Sequence, residues 1–308
     1  ALTLLPVAYF CGGFKTAAEL HQRRFVHADA DAFCRLWSDL ASLDTRAKIR
    51  LGIAPHSLRA VPERELEDII SSAECFNSSV RIHIHVAEQP QEVDQAQAYL
   101  GARPVQWLLD HHAVDAKWCL VHATHTDHRE RAEVARRCAV VGLCPSTEAD
   151  LGDGIFAAAA YRAEGGHWGI GSDSNTVVSP ARELSLLEWT QRLEQRQRLV
   201  MSDPLKHVGR TLFDDAARGG AQALDQPIGH LSPGQRADFV VLNPEHPRLV
   251  GLEPDQALDA WIFSGADRAV DEVWVAGQRL VQNGQHHRRA PIQAVFATVM
   301  RRLAAGAI

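Results

Sequence analysis

Residues 80–88 read VRIHIHVAE. Val80, Ile82, Ile84 and Val86 alternate with Arg81, His83 and His85, the period of two expected of a β-strand. The run closes on ionisable groups, His85 and Glu88. Five other runs share this form: 3–10 (TLLPVAYF), 50–57 (RLGIAPHS), 118–124 (WCLVHAT), 139–146 (AVVGLCPS) and 167–173 (HWGIGSD). Their polar ends are His56, His122, Pro145-Ser146-Thr147 and Asp173. Helical patterns lie between them, over 62–75, 89–100, 103–112, 127–137 and 178–199. The first begins with Pro62 at a first helical position, and Glu63, Glu65 and Glu67 suit a helix N-terminus. In 103–112, Val105, Leu108 and Leu109 share one face. Strand–helix–strand alternation predicts a parallel sheet with helices packed outside it.

Functional groups at the C-terminal ends of successive strands fit a (β/α)8 barrel, whose chemistry collects on that face. A doubly wound open sheet also binds ligands there, but it ordinarily carries a glycine-rich phosphate loop after an early strand. Residues 11–14 (CGGF) lack that spacing. The expected fold is therefore α/β, a TIM-type (β/α)8 barrel. Six strands are counted up to Asp173, where a closed barrel has eight, and Ala1 leads almost directly into a strand. The expectation is a chain lacking the first two barrel strands, the C-terminal part of a longer polypeptide; a six-stranded variant is the alternative.

Beyond residue 200 the pattern changes. Residues 207–224 and 290–305 read as helices, 229–243 as a turn feeding a strand, and 271–284 as a hairpin around Ala276-Gly277. These strands are too few for an independent sheet and predict part of a small β-domain. The expected domains are a barrel over 1–224, part of a small β-sandwich over 225–289 and a C-terminal helix over 290–308.

Of the 308 residues, 46% are hydrophobic and 23% charged, with a net charge of −6, which excludes a disordered chain and gives no basic surplus for nucleic acid. No apolar run approaches the ~18 residues of a membrane span. Residues 1–14 are apolar without a basic start, which argues against a signal peptide. The six cysteines form no C-x-x-C pair, as in reduced, cytoplasmic proteins.

Among the sixteen histidines, position separates the informative ones. His85, Glu88, His122 and Asp173 sit at strand ends, so a barrel would gather them on one rim. Imidazoles with a carboxylate are a ligand set for Zn2+, and Fe2+ suits it as well. Such an ion lowers the pKa of a water toward neutrality. Glu88, three residues past His85, can then carry protons beside the metal without ligating it. The plain alternative is that a histidine at a strand end is a hydrogen-bonded structural residue, and that Asp173 in GSDS caps a turn. His83 shares a strand face with His85 and could be a second ligand; the position nearer the strand end favours His85, with His83 in a deeper layer. His125 and His128 fall after their strand and read as solvated or capping residues. His111, His112, His286 and His287 read as surface residues. His56 and Arg59 (HSLR) offer a planar fork and a second donor for an acidic substrate, the alternative being a salt bridge from Arg59 to Glu63.

These residues resemble the amidohydrolase superfamily: His-x-x-Glu at 85–88, VHATH at 121–125, GSDS at 171–174 and PGQRADFVVL at 233–242. More narrowly they are similar to the formimidoylglutamate deiminases of histidine breakdown. That likeness rests on QRRF at 22–25, HSLRAV at 56–61, HIHVAEQ at 83–89, CPSTEADLGDGIF at 144–156 and LLEWTQRL at 186–193. The resemblance spans nearly the whole chain, from about the third barrel strand. It implies metal ligation by His85 and Asp173, with Glu88 as proton shuttle. It also implies that His122 orients the attacking water or polarises the substrate carbon, and that His56 and Arg59 grip the glutamate carboxylates. The implied reaction is hydrolysis of a formimidoyl group, releasing ammonia and N-formyl-L-glutamate. Asp173 takes a proton from water, and Glu88 protonates the departing nitrogen.

The family's other two metal ligands form a His-x-His on its first strand, which has no counterpart here. Weak metal binding and little activity are expected of these 308 residues alone, and an active enzyme if upstream residues carry that pair. A cytoplasmic homodimer with a small acidic substrate, and with neither nucleic acid nor membrane as partner, completes the implied picture. A metal-dependent deaminase or chlorohydrolase of a heterocycle is the nearest alternative within enzymes. A non-catalytic remnant is the alternative outside them.

Overall fold

Each of the six runs becomes one or two strands, and each run is followed by at least one helix. The structure is a computed structural model describing residues 2–43 and 49–306. The run over 3–10 forms β1 (Leu2–Leu4) and β2 (Val7–Ala8), followed by α1 (Ala30–Leu43). The next forms β3 (Ile49–Leu51) and β4 (Ala54–Pro55), followed by α2 (Glu63–Phe76). Then come β5 (Ile82–Val86) with α3 (Pro90–Leu100) and α4 (Pro104–His111), and β6 (Trp118–His122) with α5 (His128–Arg136). β7 (Val140–Leu143) precedes α6 (Pro145–Leu151) and α7 (Ala158–Ala163), and β8 (His167–Ile170) precedes α8 (Pro180–Gln195) and α9 (Val208–Ala223).

All pairings among these strands are parallel and follow chain order. β1 pairs with β3 and β2 with β4; β5, β6, β7 and β8 form one continuous sheet. Bridges from Ile53 to Ile82 and from Ser57 to His85 join the β3–β4 segment to β5. Pro6 separates β1 from β2 because it has no N–H, yet its carbonyl accepts from Ala54 N at 2.9 Å and the ladder continues. This is the βα repeat of a TIM-type barrel, as the alternation predicts.

The strand faces divide as the sequence requires. In β5, Ile82, Ile84 and Val86 are buried, whereas His83 and His85 on the other face are half-buried. Ile53, Leu120, Leu143 and Trp168 from neighbouring strands are fully buried, as are Leu66, Ile69, Leu108 and Leu184 from the helices. Each such side chain contributes on the order of 1.5–3 kcal/mol by leaving water. α9 lies closest of all: a Cβ on Gly219 would stand 1.9 Å from the Trp168 carbonyl oxygen, so only glycine admits this contact.

Several boundaries differ from expectation. Pro62 is the cap before α2 rather than its first helical residue. Pro145, Ser146 and Thr147 are not a strand end: β7 stops at Leu143 and Pro145 opens α6. Proline at the first helical turn gives up no hydrogen bond, which favours helix over continued strand. α1, α6 and α7 were not expected from sequence.

The chain divides after His230 into two compact units, residues 1–230 and 231–308. The second holds β9 (Phe239–Leu242), α10 (Pro254–Phe263), β10 (Val270–Val275), β11 (Gln278–Gln282), β12 (Gln285–His286) and α11 (Arg289–Ala304). Its strands pair antiparallel in the order β12-β11-β10-β9, so a four-stranded sheet forms where the sequence indicated too few strands. The expected hairpin turn is present, with positive φ at both Ala276 and Gly277, which matches the twist of the strands it joins. Leu249, Ala266 and Ala269 form a small core beside Leu242, Ala257 and Ala260. α10 was not expected, although Pro254 and the capping box of Glu253 with Gln256 mark its start. No helix among the described residues is long and apolar enough to cross a membrane.

Candidate active site

At the C-terminal ends of β4, β5 and β6 three imidazoles stand in a row. The His56 and His85 ring centroids are 5.0 Å apart, and those of His85 and His122 are 5.6 Å apart. His85 Nδ1 donates to the His56 carbonyl at 2.8 Å, which fixes the tautomer and leaves Nε2 as its free ligating atom. Burial lowers the proton affinity of His85, so the ring is held in the neutral form that a metal requires. His56 is pushed down to about 4, by burial first and then by His85 and Arg59.

The backbone leaves the strands abruptly here. Ala87, His122, Ala123 and Asp173 all have positive φ (51°, 67°, 50° and 51°), a region uncommon outside glycine, above all for the two alanines. Such strain, on the order of 1–3 kcal/mol per residue, gathers at functional sites. The turns bring three sequence-distant groups together. His122 Nε2 lies 3.6 Å from Glu88 Oε1 and 3.8 Å from Asp173 Oδ2. Its Nδ1 donates to Glu148 Oε1 at 3.1 Å, and the same oxygen accepts from Cys144 N at 2.8 Å. Burial opposes charge on His122, but Glu148, Glu88 and Asp173 outweigh it and raise its proton affinity.

His122 Nε2 is fully buried and has no hydrogen-bond partner. An orphaned buried polar atom costs about 1–3 kcal/mol unless a further group satisfies it. A nitrogen turned toward two carboxylates, beside a second imidazole with a free Nε2, is a donor set suited to a divalent cation and a water. Among the described residues no group of three or more His, Cys, Asp or Glu is placed so as to hold a metal ion. His85 and Asp173 have the chemistry of two ligands, part of a shell at most.

Arg59 does not form the salt bridge to Glu63 weighed from sequence. Its guanidinium contacts Glu88 Oε2 at 3.4 Å and Glu92 Oε2 at 3.5 Å, in place of a bridge to Glu63. Arg59 Nε is buried without a partner, and the side chain lines a cleft of 340 Å³ with Gln89, Gln91, Gln95 and Tyr99. Glu92 was missed by sequence reasoning. It is buried in the first turn of α3, and burial pushes its carboxyl up against the opposing pull of Arg59 and two backbone N–H groups. Glu148 was also missed, because Pro145-Ser146-Thr147 was read as the end of a strand and not as the start of a helix. Its signal was proline followed three residues later by an acid.

His83 Nε2 donates to the Ala223 carbonyl at 2.9 Å, toward the end of α9 and away from the strand C-termini, as its deeper position predicts. His125 is not solvated: its ring meets the Asp153 carbonyl at 2.7 Å. The cap of α5 is Asp127, not His128. His112 is half-buried, with an unpartnered Nε2, rather than a surface residue.

The amidohydrolase family model matches residues 10–280. A formimidoylglutamate deiminase of Pseudomonas aeruginosa is 46% identical over 305 residues, covering 98% of this chain and 66% of the relative. Among solved structures, an amidohydrolase from Brucella melitensis superposes with a TM-score of 0.90 at 43% identity, covering 98% of this chain and 66% of that one. An adenosine deaminase from Xanthomonas campestris, solved with bound zinc, gives 0.83 at 22% identity over 98% of this chain and 66% of its own, a likeness of fold alone. The chain therefore spans just under two thirds of the length of the relatives it matches.

Proposed function

The chain belongs to the amidohydrolase family, and we propose that it carries the chemistry of hydrolytic deimination: N-formimidoyl-L-glutamate and water give N-formyl-L-glutamate and ammonia. The observation that carries this reading is the unpartnered Nε2 of His122, held by Glu148 between Glu88 and Asp173. His85 and Asp173 are the residues that would hold a divalent ion, zinc first and ferrous iron second. When bound, such an ion lets water act as a nucleophile at neutral pH.

The chain's own groups supply the rest. His122 Nε2 orients the water or polarises the formimidoyl carbon. Asp173 accepts the proton that water gives up. Glu88, 3.6 Å from His122 Nε2, delivers a proton to the nitrogen that leaves. Arg59, with its unpartnered Nε and its place in the cleft, and His56 beside it take the carboxylates of the substrate. With this reading go a place in histidine breakdown, in the cytoplasm, and a homodimer, as the resemblance implies.

The test is ammonia release from N-formimidoyl-L-glutamate after incubation with zinc or ferrous iron. Glu88→Gln should lower kcat by about 100-fold or more, the range for a positioned proton carrier. Arg59→Ala should act mainly on KM. Release of ammonia from an aminated heterocycle but not from the formimidoyl acid would overturn the substrate assignment.

A further inference from the structure

We propose that Glu92 is the positioning residue for Glu88: its buried carboxylate clamps the backbone on which Glu88 stands and shares Arg59 with it. This deepens the deimination reading, in which Glu88 moves the proton. β5 ends at Val86, and Ala87 turns into the left-handed region with φ of 51°. That turn points two successive N–H groups the same way, a concavity that binds anions. Glu92 fills it. Its Oε1 accepts from Ala87 N at 3.1 Å, and its Oε2 from Glu88 N at 3.0 Å.

Glu92 is 2% exposed, so water has no ready access to replace its carboxylate. The nearest cation is Arg59, whose Nη2 is 3.5 Å from Glu92 Oε2 and 3.4 Å from Glu88 Oε2. One nitrogen thus ties the two carboxylates from one side while the two amides tie the main chain from the other. Glu88 is left with Oε1 aimed at His122 Nε2. Glu92 reaches no atom at which the reaction would occur, so its influence passes through Glu88. A carboxylate misplaced by an ångström can lose about 100-fold in rate.

Glu92→Gln keeps the shape but turns an amide N–H2 toward a backbone N–H. In the full 308-residue chain the Ala87 and Glu88 amide resonances should shift upfield, and their hydrogen exchange should quicken by about tenfold or more, the equivalent of one lost hydrogen bond. A crystal structure of the variant should show the Glu88 carboxylate displaced. With metal supplied, kcat per folded molecule should fall by about 10- to 100-fold with KM nearly unchanged. A purely structural role would lower the folded fraction and leave kcat per folded molecule intact. Should Glu92→Gln be poorly folded, Glu92→Asp, one methylene short of the amides, carries the same expectations. Unmoved amide signals, or Glu88 in its original place in the variant, would overturn the proposal. Ammonia release from an aminated heterocycle but not from N-formimidoyl-L-glutamate would count against the deimination reading alone, because the amide and crystallographic results still decide the role of Glu92.

Discussion

Replacing His56 by glutamine should make the protein more resistant to mild acid. The ring is half-buried, edge-on to Tyr9 at 4.9 Å, tilted against His85 at 5.0 Å, with Nδ1 3.1 Å from Ser57 Oγ. Burial, with the neighbouring His85 and Arg59, lowers its pKa from 6.5 to about 4. Between those values the unfolded chain binds a proton that the folded chain does not, so stability rises with pH through this window and falls as acid is added. A tenfold difference in proton affinity between folded and unfolded chains is worth about 1.4 kcal/mol, so the full window corresponds to about 3 kcal/mol. At pH 5 about 2 kcal/mol of it is already lost. Below pH ~4 both states are protonated and the loss stops growing.

His83 and His85 are lowered in the same direction by burial and add to the slope in both proteins. Carboxylates that titrate in this range also contribute to both. The difference between parent and His56→Gln therefore isolates the one ring. Guanidinium unfolding, followed by tryptophan fluorescence from pH 4 to 7.5, gives that difference directly. Measured relative to pH 7.5, the variant should lose about 2 kcal/mol less than the parent at pH 5. Parallel pH profiles for the two proteins would refute the assignment of a neutral, desolvated imidazole at this position.

Two further substitutions probe the frame of the site. Gly219→Ala places a Cβ against the Trp168 carbonyl, at 1.9 Å if nothing moves, and should force α9 off β8; soluble yield and melting temperature should both fall sharply, and a native-like melting temperature would contradict the close approach. Glu148→Ala leaves the donors of His122 Nδ1 and Cys144 N without their acceptor and should cost about 1–3 kcal/mol for each in chemical unfolding. It should also lower the proton affinity of His122, read as an acid-ward move of that ring in an NMR titration.

How much of this was legible in sequence can be judged residue by residue. Alternation in IHIHV placed His83 and His85 on one face, and order along the strand separated them correctly: His83 meets a helix-end carbonyl and His85 the rim. The expectation that His85, Glu88, His122 and Asp173 would meet rested on where barrel strands end, and the structure brings these residues together. Arg59 was chosen for its chemistry, but its partners lie on α3 and at the end of β5 rather than at Glu63, one turn along. Glu92 carried no pattern of its own, and Glu148 only a proline three residues before it. Each is an acid near the start of a helix, a common feature whose importance depends on what faces it.

The period of β5, the ionisable strand ends at His85 and His122 and the Ala276-Gly277 turn were determined by sequence alone, because the relevant forces act between residues a few positions apart. Tertiary structure decided which acid holds which imidazole, which backbone amides share a carboxylate, and which carbonyl occupies His83. A partner such as Ala223, 140 residues away, is selected only when packing brings two surfaces together. Burial then decides the chemistry: it keeps His56 neutral and leaves His122 Nε2 without a partner. No local pattern encodes burial of that kind, since it depends on everything the chain places around the site.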